Sequence, residues 1–305
     1  MRRLLILATL LGVLAVTACS GGGGGGSLTF TPISGNSEFV PGPNRMALAL
    51  IDQDNAPILG RPDTSFRISF SFCSPTATPE ATPPPCQPKT DEDAQFVPTI
   101  KNADGSVADG FWVTYPTFDQ AGTWEGTATL TRDGKKGDST FHLTVSTDST
   151  TPQLGQQAPP DDNPTLKSEP NIKKLSTDAS PDESFYQMTV TEAIAAHKPF
   201  VVVFATPAFC TSRLCGPILD NVKSIKPAFA DRVNFIHIEP YQLDDEGQLV
   251  TSAQGGPQVS PAFDAWHLNS EPWIFVVGAD GKIAARFEGS ASPEELTAAI
   301  QGALS

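Results

Sequence analysis

The sequence predicts a protein of two domains, an all-β sandwich followed by an α/β domain with the element order βαβαββα. Residues 28–147 consist of short segments with partial apolar alternation and many Thr, Phe and Val. Residues 183–305 instead show strand and helix patterns in turn. Residues 148–182 are rich in Pro, Ser, Thr and Asp with almost no apolar periodicity, which predicts a linker without a core of its own.

The chain begins with a predicted lipoprotein signal peptide, residues 1–18. Two arginines precede an apolar run from Leu4 to Val16, which is too short to cross a bilayer. The ending Val-Thr-Ala-Cys resembles the bacterial lipobox, in which the cysteine is lipidated and becomes the first residue of the mature protein. Residues 19–27 are then the lipidated Cys19 and a glycine tether, and we expect the protein on the extracytoplasmic face of the cell membrane. A secreted protein with an unmodified Cys19 stays open.

The charge and the cysteines of the chain limit the functions that it can have. The formal net charge of −14 and the lack of a basic run argue against nucleic acid, which needs clustered Lys and Arg on one face. Apart from Cys19, the cysteines form two local pairs, Cys73 with Cys86 and Cys210 with Cys215. Outside the cytosol, both pairs can be disulfides.

The first domain is predicted to be a small sandwich. Its strand segments are NRMALALID, TSFRISFSF, GFWVTYPTF, GTWEGTATLT and DSTFHLTVS, with Asp-Gly turns among the connections. The segment from Asp119 to Trp124 resembles the corner before strand F of immunoglobulin-like domains, with Trp124 where a tyrosine is usual. We therefore expect an immunoglobulin-like sandwich. Cys73 and Cys86 flank a proline-rich loop, and a structural disulfide there would contribute about 3 kcal/mol to stability.

Local signals place the elements of the second domain. Thr189 and Glu192 form a predicted capping box before a short helix. Residues 200–205 are a continuous apolar run typical of a strand buried on both faces, and a helix follows from about Pro217. The remaining elements are a strand at 233–239, a helix capped by Ser260 and Pro261, a strand at 273–277, a hairpin turn at 279–282 with its second strand, and a last helix opening at 292–295.

Cys210 and Cys215 follow the first strand of this domain at the start of the predicted helix. A helix N-terminus favours a thiolate because its dipole and free N–H groups stabilise negative charge. Five residues turn an α-helix by about 500°, so two such side chains point about 140° apart and cannot form a disulfide within one regular helix. Cys210 must then lie in a loop if the pair is bridged. By position Cys210 is the expected nucleophile and Cys215 the resolving cysteine, although Gly216-Pro217 would suit the opposite assignment.

The element order, the cysteines at the strand end, Gly216-Pro217 and a proline before the third strand, Pro272, together resemble the thioredoxin-like family. In that family the proline is cis and packs against the disulfide, so the resemblance implies that Pro272 lies beside the cysteine pair. The buried Asp of thioredoxins is replaced, because the matching region holds only apolar residues 201–204. Glu271 precedes Pro272 and is a proton acceptor, a group that raises the thiol pKa, or a side chain that points to solvent.

The resemblance implies a thiol–disulfide oxidoreductase with Cys210, Cys215, Pro272 and Glu271 in its catalytic site. Its implied partners are exported protein thiols or disulfides and a membrane electron donor or acceptor. We expect no cofactor and no metal. The first domain would be a spacer or a substrate-docking module.

Three alternatives remain. The missing Asp leaves open a binding or assembly module in which the second cysteine pair is a structural disulfide. Q-type peroxiredoxins share the C-x4-C spacing, but the positions of their upstream Pro and Thr hold Val203 and Pro207, so a thiol peroxidase fits less well. Copper delivery, as in Sco-like proteins, needs another spacing and a distal histidine, and His237 and His267 are expected to be a strand histidine and a helix-end histidine.

Overall fold

The computed structural model describes residues 27–74, 85–102 and 104–305. The predicted signal peptide, Cys19 and the glycines of the tether lie outside these residues. No helix within the described ranges has the length and apolarity needed to cross a membrane.

The first domain is all-β, as predicted, and its strands pair antiparallel. They are β1 (Thr31–Ser34), β2 (Gly42–Pro43), β3 (Met46–Ile51), β4 (Ser65–Ser74), β5 (Gln87–Lys101), β6 (Val107–Thr114), β7 (Thr117–Phe118), β8 (Gly122–Arg132) and β9 (Lys135–Val145). Seven of them form one sheet in the order β1-β3-β6-β5-β4-β8-β9, and β2 pairs with β7.

This large sheet folds over on itself. Residues 87–94 of β5 pair with β4, whereas residues 95–101 pair with β6, so β5 belongs to both halves. The halves share one apolar core, in which the ring of Phe66 in β4 lies 5.5 Å from that of Trp112 in β6. The sandwich is thus built from one bent sheet, and its immunoglobulin-like assignment stays a prediction.

The predicted disulfide of this domain is present. Cys73 and Cys86 are joined by a disulfide. Trp124 is fully buried and donates a hydrogen bond from Nε1 to the carbonyl of Gln120 at 3.1 Å. A tyrosine hydroxyl makes a comparable bond to the upstream backbone in the immunoglobulin corner.

The second domain has the predicted element order. Its elements are α1 (Val190–Ala195), β10 (Phe200–Phe204), α2 (Cys215–Ile225), β11 (Asn234–Ile238), α3 (Pro261–Ala265), β12 (Trp273–Val277), β13 (Ile283–Glu288) and α4 (Pro293–Ala303). The sheet order is β11-β10-β12-β13, with β10 parallel to β11 and the other pairs antiparallel. Helices α2 and α4 cover one face, and α1 and α3 cover the other.

Helix α2 begins at Cys215, two residues before the predicted start at Pro217. Gly216 and Pro217 occupy its first turn. Proline is tolerated there because the first N–H groups of a helix have no intrahelical acceptor. The earlier start places Cys215 inside the helix.

Residues 148–182, which we call the strap, lie against the second domain instead of running freely between the two. Their backbone forms hydrogen bonds with β13. The N–H of Ile283 donates to the carbonyl of Gln156, and the carbonyl of Ile283 accepts from the N–H of Gly155. Further along, Asn163 caps the N–H of Val190 at 2.8 Å, and Leu175 is buried in the apolar cluster beneath α2. The strap has no core of its own, as its composition indicates. It contributes buried residues to the core of the second domain.

The two domains are joined by buried contacts. Arg45 of the first domain forms a bidentate ion pair with Glu295 of α4, at 2.8 and 3.0 Å. Arg286 of β13 pairs with Glu38 at 2.8 Å. Phe111 of β6 belongs to the same apolar cluster as residues of α2 and α4. The first domain is therefore packed against the second and is not a detached spacer.

Candidate dithiol site

Strand β10 and helix α2 bring the two cysteines to one edge of the sheet. All five side chains of β10 are buried, which fixes the strand in the core. Residues 205–214 form the connection, in which Arg213 has a left-handed backbone with φ +62°. Cys210 lies in this loop and Cys215 is the first residue of α2. This is the placement that the C-x4-C spacing requires for two cysteines that meet.

Cys210 is the more accessible sulfur, and its surroundings favour the thiolate. The backbone N–H of Cys215 donates to Cys210 Sγ at 3.3 Å, and Ser212 Oγ lies 3.2 Å from the same sulfur. The hydrogen bond from the Cys215 side chain is the largest effect on Cys210, and with these donors it outweighs burial and lowers the pKa to about 5. Cys210 is therefore a thiolate at neutral pH.

Cys215 has the opposite character. Its side chain is completely buried, and both cysteines are free thiols in this structure. The hydrogen bond to Cys210 and burial raise the pKa of Cys215 well above its usual range, while a hydrogen bond with the backbone of Thr206 opposes them. Cys215 is therefore the sulfur that keeps its proton.

The predicted cis peptide is present between Glu271 and Pro272. Glu271 does not point freely to solvent, because Tyr241 Oη donates to its Oε2 at 3.2 Å. Burial raises the pKa of Glu271, and the nearby charge of Cys210 acts in the same direction. Glu271 is therefore close enough to the cysteine loop for its charge to be felt there.

A second carboxylate, which the sequence reasoning missed, lies beneath the same loop. Glu239 follows β11 and is only 5% exposed. Its Oε1 accepts from the N–H and the hydroxyl of Thr177 in the strap, at 2.5 and 2.7 Å. Thr177 Oγ1 in turn accepts from the N–H of Ala208, in the Cys210 loop, at 3.1 Å. Burial raises the pKa of Glu239 to about 7.

A weak signal for Glu239 was present in the sequence. Glu239 is the only acidic residue in the run 233–239 and is its last residue. It therefore lies at the same edge of the sheet as the end of β10, which the cysteines follow. The carboxyl ends of the parallel strands β10 and β11 meet there. Its partner Thr177 carries no such signal, since it lies far upstream in a segment without periodicity.

His237 is a buried strand histidine, as predicted. Its Nδ1 lies 2.7 Å from Tyr186 Oη and its Nε2 lies 2.9 Å from the carbonyl of Ala205. Burial lowers the pKa of His237 to about 4, so the ring is neutral. The second histidine, His267, lies just after α3. Across the ranges 27–74, 85–102 and 104–305, no group of three or more His, Cys, Asp or Glu side chains is arranged to hold a metal ion.

The structure therefore brings together Cys210, Cys215 and Glu271, with the cis Pro272 directly after Glu271 in the chain. The disulfide of Cys73 and Cys86 lies in the other domain.

Comparison with known proteins places this site in a recognised kind of domain. Residues 186–303 match a family model described as a thioredoxin-like domain. No curated protein matches the chain. Among solved structures, a thiol:disulfide interchange protein of the thioredoxin family from Chlorobium tepidum is similar at 14% identity and a TM-score of 0.34, covering 50% of this chain and 99% of its own.

Proposed function

Because residues 186–303 form a thioredoxin-like domain, we propose that this protein is a thiol–disulfide oxidoreductase that acts through Cys210 and Cys215. The observation that carries the proposal is the contrast between the two sulfurs. Cys210 is accessible and stabilised as a thiolate by donors at the start of α2, whereas Cys215 is buried and protonated. A reactive thiolate beside a protected thiol is the arrangement that exchange with a client disulfide requires.

The reaction balances with the client as the only co-reactant. The Cys210 thiolate attacks a client disulfide, forming a mixed disulfide and releasing one client thiolate. Cys215 then loses its proton and attacks Cys210 Sγ. The bond between Cys210 and the client breaks, and the second client thiolate leaves. The client is reduced and the pair is oxidised, and a client dithiol would run the same steps in reverse.

The proposal extends to the location and the partners. Cys19, as a lipidated first residue, would hold the protein on the extracytoplasmic face of the cell membrane, where exported proteins carry disulfides. A membrane electron donor or acceptor would then restore the working redox state of Cys210 and Cys215. A Cys19→Ala variant should leave the membrane fraction and remain redox-competent, and a variant that stays in the membrane fraction would speak against the anchor.

A redox titration of the mature protein tests the central claim. We expect a potential for the Cys210–Cys215 couple between about −120 and −270 mV, the range of catalytic dithiols. A Cys215→Ser variant should trap a mixed disulfide with a client, and Cys210→Ser should trap none. A potential below about −300 mV, together with no trapped client, would instead indicate a structural disulfide in a binding module.

A further inference from the structure

Strand β13 is the last strand of its sheet, so one of its edges has no further strand beside it. The direction of its backbone groups follows from one hydrogen bond, in which the N–H of Gly289 donates to the carbonyl of Pro272. In an antiparallel pair, the residues that bond to the partner strand alternate with residues that face away from it. Phe287 therefore faces β12, whereas the backbone groups of Arg286 and Glu288 point to the outer edge.

The strap covers only the start of this outer edge, where it pairs with Ile283. Upstream of that pairing, the strap leaves β13 through a turn that the N–H of Gln156 closes on the carbonyl of Gln153 at 3.1 Å. Gly155 has φ +80° at the third position of this turn, where glycine is favoured. The edge beyond Ile283 is therefore left without backbone pairing to the strap.

Three backbone groups on the rest of the edge have no backbone partner in the part of the chain that the structure describes. They are the N–H and the carbonyl of Arg286 and the N–H of Glu288, since the carbonyl of Glu288 accepts from Ser290. A row of open N–H and C=O groups on a sheet edge is a template for another strand. The edge is thus suited to an extended backbone.

This edge borders a cleft of about 380 Å³ between the two domains. Residues 284–288 of β13 form one wall, and the other walls come from the first domain, the strap and α4. Tyr115 and Leu154 line the cleft and are 59% and 51% exposed, and large exposed apolar side chains mark interaction sites. Ligand pockets measure about 300–1,000 Å³, so the cleft suits a short extended segment better than the edge of another folded sheet.

The charges of the cleft favour a basic occupant. Two of its three glutamates, Glu38 and Glu295, are paired with arginines. The third, Glu288, is bonded to serines, and no ion pair joins it to any residue that the structure describes. The whole chain also carries a formal net charge of −14. A positively charged segment would therefore be attracted to the protein and complement the cleft.

We propose that the outer edge of β13 binds an extended, basic segment of a partner polypeptide, which adds as a further strand in the cleft between the domains. The backbone of the segment would bond to Arg286 and Glu288, continuing the pairing that the strap begins at Ile283. A Lys or Arg side chain of the segment would lie near the Glu288 carboxylate. These contacts use neither cysteine, so the inference does not depend on the proposed function.

Peptide binding to the mature protein tests this inference. The probes are fluorescein-labelled hexapeptides without cysteine, in which Val and Ala alternate and each position in turn carries Lys. We expect at least one of them to show saturable binding by fluorescence polarisation at about 1 mM or below. The same peptide with Glu in place of Lys should bind about 10-fold or more weakly, because its charge is reversed.

Two N-methylated forms of the best peptide distinguish strand addition from other modes of binding. Methyl groups on alternate amides remove the N–H groups along one edge of the peptide only. One form should therefore lose about 10-fold or more in affinity, and the form methylated at the other positions should keep it. In the complex the Arg286 amide should exchange more slowly with solvent, and the exchange of the Phe287 amide, which faces β12, should stay the same.

A matched pair of variants tests the place of binding. Ala298 is exposed on α4 and lines the cleft, so Ala298→Trp should obstruct the segment and weaken binding about 10-fold or more. Gln301→Trp, also at an exposed position of α4 but outside the cleft, should bind as the wild type does.

The proposal is overturned if no peptide of the panel binds, or if both N-methylated forms bind as well as the parent peptide. Equal binding by the Ala298→Trp and Gln301→Trp variants would place the peptide elsewhere and also overturn it. Dimers of the peptide-free protein that Ala298→Trp abolishes would assign the cleft to a second copy of this chain, against the proposal.

Discussion

The two cysteines have the same side chain and opposite environments. Cys210, in the loop, receives hydrogen bonds from the start of α2, whereas Cys215, inside the first turn, is buried and keeps its proton. The five-residue separation produces this difference, because it places one sulfur before the helix and the other within it. The spacing therefore determines which sulfur is accessible and which is buried.

The first prediction concerns the pH at which Cys210 becomes reactive. Alkylation of the reduced protein by iodoacetamide should be half-maximal near pH 5, following the thiolate population. Ser212→Ala removes a hydrogen bond to the sulfur and should move that midpoint upward. Ser224→Ala, on the exposed side of α2, should not. A wild-type midpoint near the ordinary thiol pKa of about 8.5 would contradict the described geometry.

The second prediction concerns the pH dependence of stability at Glu239. Its pKa is about 7 in the folded chain against a reference value of 4.5, so between these values the folded state holds a proton that the unfolded state has lost. The free energy of unfolding should therefore fall as pH rises from 4.5 to 7, by about 3 kcal/mol from this group. In Glu239→Gln this part of the decline should be missing. Chemical denaturation of the wild type and of Glu239→Gln between pH 4.5 and 7 measures the two free energies of unfolding. If these fall in parallel with pH, the prediction is contradicted.

The strap shows how a segment without apolar periodicity still becomes ordered. It uses backbone bonds to β13, a side-chain cap on α1 and the Thr177 contact with Glu239, each made by polar groups. Hydrophobic patterning does not detect such interactions, since they follow from where distant residues meet. The polar composition of the strap predicted a linker. It could not predict that the strap packs against the second domain.

The third prediction tests the strap at Thr177. Thr177→Val removes the hydroxyl that joins Glu239 to Ala208, and we expect a loss of about 1–3 kcal/mol in the free energy of unfolding. The Ala208 amide should exchange faster with solvent, because its acceptor is gone. Thr177→Ser retains the hydroxyl and should retain most of the protection. Equal protection in the Val and Ser variants would show that the bond does not hold the loop.

Elements with local signals were predictable. The capping boxes of Thr189 with Glu192 and of Ser292 with Glu295 are both present, because each needs only residues three apart. The positions of Cys210 and Cys215 at the start of α2 also followed from their spacing, and the cis bond before Pro272 followed from the resemblance to the thioredoxin-like family. The bend of β5 and the contact of Glu239 with Thr177 did not, since both depend on partners that are remote in the chain.

The two domains meet through a buried ion pair. Arg45 and Glu295 are both largely buried, with side-chain exposures of 9% and 15%. Burial alone would raise the pKa of Glu295, but Arg45 holds it below the usual value. Tyr115 Oη also donates to Glu295, at 3.0 Å. Removing the arginine would leave a buried carboxylate without its charge partner.

The fourth prediction follows from that contact. Wild-type protein should unfold in one transition, and Arg45→Ala should lose about 3 kcal/mol or more, since breaking a buried pair is strongly destabilising. Arg67→Ala, whose partners Asp91 and Asp93 are exposed, should leave the free energy of unfolding nearly unchanged, because solvent screens exposed ion pairs. Calorimetry of the three proteins checks this. Two separate transitions in the wild type would mean that the domains unfold independently.

The strap contact also affects where this chain should be divided. The thioredoxin-like family model matches residues 186–303. The hydroxyl that connects the Cys210 loop to Glu239 belongs to Thr177, which lies before this segment. A fragment cut at residue 186 would keep both cysteines and discard that hydroxyl. The matched segment is thus shorter than the set of residues that hold the Cys210 loop, so expression fragments and comparisons with similar chains should begin upstream of residue 186.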